Sequence, residues 1–284
     1  MFPTVVHRKR IELVVIGILI VGIIGYAGAG IFYSAVRVAS AERTLNTVVS
    51  HQNSLNSTFS DINSQLSSLN SSTAFNPQQA IVLVDRSIAN SELAAQTINQ
   101  DDASLDAAAT QLRDQPWLTT VGRGSLDRET ARIGHARNAL AAARTIAADE
   151  AVDGHFWHAL YVALSDLTTL NTQSGAGDLT AAKATLATMK TDVDQAAQLS
   201  TSAGLPAELH DLMTDLGTFV GDYGKQLDAQ LAGDDASVAA YQATLAADLA
   251  KIGKYDIDKI GSEINAFYKP MIDRFNSEIA AATA

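Results

Sequence analysis

The sequence predicts an all-α protein. A single N-terminal transmembrane helix continues into a long amphipathic helix, followed by an extracytoplasmic antiparallel bundle of seven or eight helices. Three observations carry this expectation. The 24 residues from Leu13 to Val36 hold no charge. Beyond them, apolar residues recur at helical spacing between Pro and Gly breaks, and no alternating β-branched run appears outside the membrane segment. The composition is 47% hydrophobic but only 6% aromatic, so Ala, Leu, Val and Ile must build the core. Charged residues make up 18%, below the ordinary share of about 25%, which excludes a disordered chain.

The N-terminal segment comes first in order. Residues 1–10 read as a short cytoplasmic tip ending in Arg8, Lys9 and Arg10, and residues 11–36 as a signal-anchor helix. A helix of that uncharged length spans about 36 Å, enough for a hydrocarbon core of roughly 30 Å. Basic residues ahead of it place the N-terminus in the cytoplasm and the bulk outside, in a single-pass cell-membrane protein. Cleavage after Ala27-Gly28-Ala29 or Ala39-Ser40-Ala41 is the rival reading, but the apolar run exceeds a usual signal core. The remainder carries 17 basic and 30 acidic residues, a net of −13. Such a body is repelled by anionic headgroups and stands off the membrane. Gly22, Gly25 and Ala29 share one face of the anchor, where small residues permit helix packing against a second copy or a larger membrane partner.

Residues 37–72 form the next element, a coiled-coil-like stalk. Its seam runs Val38, Ala41, Leu45, Val48, Gln52, Leu55, Phe59, Ile62, Leu66, Leu69, with intervals alternating three and four. No Pro or Gly interrupts residues 32–76, so the membrane helix is expected to continue outward as one rod. Sparse charge beside the seam gives a parallel dimer little to fix its partner, and packing within the chain is expected, with a homo-oligomer as the competing arrangement.

The bundle proper occupies residues 73–284. Pro77 suits a first helical position and opens a helix expected to end near Thr97. The next is expected from Asp101 to Asp114, ahead of Pro116. Another runs from Ser125 to about Asp149, and a separate one follows Gly154, bearing Phe156, Trp157, Leu160 and Tyr161. Ser174-Gly175-Ala176-Gly177 breaks the chain, Asp178 caps a helix to Ser202, and Pro206 starts one to Leu231. Gly233-Asp234 turns into a final helix toward Ala280, with any kink falling at Pro270.

Little in the chain points to chemistry. Absence of Cys excludes thiol nucleophiles, Cys-ligated zinc and iron–sulfur clusters. The acidic balance, without a basic stripe among aromatics, excludes nucleic acid. His155-Phe156-Trp157-His158 is the one constellation in which two His at i, i+3 could face a metal, a haem or a small molecule. It lacks the Glu-x-x-His context of di-iron bundles, so no metal, cofactor or catalytic residue is expected. Asp256-Ile257-Asp258 begins like a calcium loop, but Ile260 and Phe267 stand where oxygen ligands are needed.

The layout resembles, in broad terms, the ligand-binding half of bacterial four-helix-bundle receptors. That resemblance implies a sensor-like module capturing a ligand between helices, though ten residues inside are too few for an output domain. The stalk and anchor favour a non-enzymatic scaffold or accessory subunit that docks a membrane or cell-envelope protein.

Overall fold

The computed structural model describes residues 36–71, 76–113 and 123–284, and all regular structure in them is α-helical. The helices are α1 (Val36–Ser71), α2 (Pro77–Arg113), α3 (Arg123–Gly175), α4 (Leu179–Leu199), α5 (Ala207–Ala232), α6 (Asp235–Ile252) and α7 (Ile257–Thr283). Gly22, Gly25, Ala29 and the rest of the apolar run before Val36 lie outside the described residues. Among the described residues, no helix is long and apolar enough to cross a membrane.

Short polar side chains set several helix starts. Asp178 accepts from the Ala181 amide at 3.0 Å ahead of α4, and Asp234 accepts from the Ser237 amide at 3.1 Å ahead of α6. Each satisfies a backbone donor that has no intrahelical partner, and its charge suits the positive end of the helix. Gly177 and Gly233 occupy the left-handed region at φ 77° and 71°, where a Cβ is unfavourable, and so reverse the chain at both hairpins.

Three expected boundaries are corrected. No break falls between Thr97 and Asp101, because α2 is continuous. Asp101 and Asp102 are tertiary ligands of neighbouring helices rather than a helix cap. No break falls at Gly154 either, since α3 runs through it. A Cβ at Gly154 would lie 2.5 Å from Ile88 Cγ1, so this glycine admits a close helix approach. Conversely, the single final helix divides at residues 253–256 into α6 and α7. Lys251 Nζ and the Tyr255 hydroxyl, the latter at 2.7 Å, both donate to the buried Asp215 of α5. Asp256 then accepts from the Lys259 amide at 3.0 Å and starts α7. The stretch that imitates a calcium loop is a helix start.

The chain divides into two compact units. One comprises, among the described residues, 36–63, 89–113, 123–151 and 266–284. Its core gathers Ala41, Leu45 and Val48 of α1, Ile98 and Leu105 of α2, Ile133 and Leu140 of α3, and Phe275 and Ile279 of α7, filled in by many alanines. Across it, Asp101 Oδ1 receives His51 Nδ1 at 2.8 Å, and Asp101 Oδ2 receives Gln52 Nε2 at 3.4 Å. Asp102 Oδ1 accepts from Arg137 Nε at 2.8 Å and Asp102 Oδ2 from Arg144 Nη2 at 3.3 Å. Thus Gln52, the polar member of the stalk seam, is buried with a partner. The side chains of Leu55, Phe59, Ile62, Leu66 and Leu69 lie outside the described set.

The other unit comprises residues 64–71, 76–88 and 152–265. In it α4 packs on α5 and α5 on α6. Leu186, Met189 and Val193 of α4 and Leu209, Met213 and Phe219 of α5 are buried, whereas α6 buries Leu245 alone.

Gly154 yields a specific expectation. Gly154→Val should cost about 1–3 kcal/mol in urea unfolding through overpacking against Ile88. In an Ile88→Ala background the added volume fills the space, and the penalty should shrink or reverse. An equal penalty in both backgrounds would refute the close-approach role.

Candidate functional site

The glycine step in α3 puts the next turn against the body of the unit. Phe156 and Trp157 are buried, with ring centroids 4.6 Å apart at an interplanar angle of 75°. Trp157 also stacks on Tyr161, one turn on, at 6.3 Å and 29°. Both geometries are favourable for aromatic quadrupoles. Burial pushes the Tyr161 phenol far above its ordinary range, so it stays neutral at any physiological pH.

The two histidines do not share a site. His155 is exposed, while His158 is half-buried and turns toward α2, where its Nδ1 lies 2.7 Å from Asp85 Oδ1. A carboxylate only accepts, so the ring donates from Nδ1. Spacing of i, i+3 allows convergence on one ion, but here one ring is spent on a neighbouring helix. Among the described residues, no group of three or more His, Asp or Glu could hold a metal ion. Trp157 closes the core instead of lining an open face.

Two further acidic groups belong to the same unit. Burial pushes the Asp166 carboxyl of α3 up, and the charge of Asp192 on α4 adds to the effect. Burial also raises Asp192, while His158 opposes it. Their Oδ2 atoms are both shut off from solvent and have no hydrogen-bond partner. The available signal was spacing, since Asp166 follows His158 by eight residues, close to two turns on one helix face.

The structure also joins Ser200 and His210, which no motif had linked. Ser200 Oγ lies 3.0 Å from His210 Nδ1 and donates to the Ala197 carbonyl at 2.7 Å. His210 Nδ1 is itself 3.3 Å from that carbonyl, which can only accept, so Nδ1 carries its proton. A protonated Nδ1 cannot remove the serine proton. The pair closes the C-terminal end of α4.

Comparison with protein-family models, with curated proteins and with solved structures gives no match to this chain.

The stack and the histidine should separate in unfolding experiments. Trp157→Ala is expected to cost about 3–5 kcal/mol, as for large-to-small changes in packed cores. His158→Ala removes a pair open to solvent and should cost below about 1 kcal/mol. The reverse order would contradict the assignment of Trp157 to the core and His158 to its edge.

Proposed function

We propose that this chain is a non-enzymatic, membrane-anchored interaction protein, whose helical body stands outside the cytoplasm and docks another membrane or envelope protein. The uncharged run from Leu13 to Val36, preceded by Arg8, Lys9 and Arg10, supports the anchor and its orientation. The net charge of −13 beyond it supports a body held away from anionic lipid, facing a protein partner.

The outer face of α6 carries the docking role. Leu245 and the half-buried Val238, Tyr241, Asp248 and Ile252 mark the side toward α5. The opposite side presents Ala236, Ala239, Ala240, Ala243, Ala246, Ala247 and Ala250, all exposed. No charge interrupts that face between its first and last alanine. Leu231 and Leu249 add apolar area nearby, at 50% and 44% exposure. Methyl groups permit a partner helix to approach closely, and a contiguous uncharged surface is unusual on a strongly acidic protein.

Charging this face tests the reading. The full chain should fractionate with membranes, and mild-detergent capture followed by mass spectrometry should recover a discrete partner. Ala243→Glu combined with Ala247→Glu keeps good helix formers and should abolish recovery without changing the circular dichroism. Undiminished recovery would remove α6 as the docking surface. Fractionation of the full chain as a soluble protein would remove the anchor.

A further inference from the structure

α6 packs on α5 and buries Leu245 alone, while its alanine face stays exposed. Those alanines are placed symmetrically along the helix. Ala243 stands at the middle, and Ala240 and Ala246, Ala239 and Ala247, and Ala236 and Ala250 lie equally far on either side of it. A face with that symmetry matches itself when turned end for end. A two-fold contact requires this match, because a residue that touches its mate is touched by the same mate in return. We propose that α6 docks a second copy of this chain, the two α6 helices packing antiparallel with Ala243 of both copies at the two-fold axis. The pairing rests on α6 being the docking face and names what docks there.

The residues around the alanines match in the same sense. Asp235 opens the helix and Lys251 closes it, both exposed and equally far from Ala243. Antiparallel pairing therefore sets the acidic start of each copy level with the basic end of the other, where the exposed Lys254 adds a second cation. Lys251 also donates to Asp215 of its own chain, yet its side chain remains largely open to solvent. Parallel pairing would instead bring Asp235 against its own copy and align the two helix dipoles, both unfavourable. The exposed leucines agree. Leu249 lies near the end of α6, and Leu231, just before the hairpin turn, stands beside its start. Turning one copy end for end brings Leu249 to the level of Leu231 in the other.

The size of the face sets the strength of the contact. α6 has 18 residues, so it is about 27 Å long and, with side chains, about 10 Å wide. One such pair buries less than the roughly 1,200 Å² at which standard stable interfaces begin. The contact is therefore reversible, and a covalent trap is the suitable way to read it.

The chain has no cysteine, so single introduced cysteines report the register without background. The full chain is used in detergent micelles, which impose no common orientation on two copies, under mild oxidation. Ala243→Cys should form a disulfide dimer on its own, because the axis brings both copies of this position within the roughly 3.5–4.5 Å between Cβ atoms that the bond needs. Ala239→Cys alone and Ala247→Cys alone should stay monomeric, each lying about 12 Å along the helix from its own counterpart. Mixing those two variants should restore the cross-link, now between positions 239 and 247. Equal dimer yields from all three single variants would overturn the antiparallel pairing. No dimer from any of them would overturn self-docking. If Ala243→Glu with Ala247→Glu still abolishes recovery of another protein in that case, α6 remains the docking face for a different partner. Undiminished recovery would remove both readings together.

Discussion

An interface built from alanine is smooth. Methyl groups along facing helices bring the backbones close but resist sliding and rotation only weakly, because few side chains interlock. In the unit that contains most of α1, the core is about half alanine, drawn from α1, α2, α3 and α7. Something directional must fix the register of such helices, and two consecutive aspartates of α2 supply it. Asp101 engages His51 and Gln52 on α1, and Asp102 engages Arg137 and Arg144 on α3. Successive residues on a helix point about 100° apart, so one pair of neighbours reaches two different helices. The last helix is fastened by the same means. Arg132 Nε donates to the Ala282 carbonyl at 2.8 Å, and His135 meets Glu278 at 2.7 Å.

One carboxylate in each unit is held as an anion by neighbouring donors. Asp102 is raised by burial, yet hydrogen bonds and charge from Arg137, then Arg144, hold it below the usual carboxylate range. Asp215 in the other unit is held low by the Lys251 ammonium and the Tyr255 hydroxyl, while burial and Asp215 push that phenol up to about 12. These carboxylates stabilise the fold as anions. Asp166 and Asp192 have no donor at Oδ2, and burial raises both carboxyls.

What the sequence made legible follows from the range of the forces involved. Hairpins at Gly177 and Gly233 with caps at Asp178 and Asp234 are local, decided within four residues, and they fall where the sequence places them. Helical class was legible from periodicity for the same reason. The errors all occur where a residue with a familiar local meaning is used at long range. Gly154 resembles a break but makes room for Ile88, and Asp101 resembles a cap but reaches His51 fifty residues away. The division at residues 253–256 depends on Asp215 of another helix, which no local pattern can announce. The candidate site shows the same limit. His155 and His158 share a spacing, but whether two rings converge depends on Asp85, seventy-three residues away.

Asp102 acts as a charged fastener between α2 and α3, and the pH dependence of stability tests this directly. The measurement is the unfolding free energy of the parent and of Asp102→Asn across pH 7 to pH 2. Because the carboxyl is held low, its contribution is present above the unfolded value and disappears as pH falls through the folded one. The parent should be more stable at pH 7 by about 1 kcal/mol, between the values for exposed ion pairs and for charged hydrogen bonds. That difference should close in acid. A difference that persists unchanged to pH 2, or none at pH 7, would show that alanine packing alone sets the helix register.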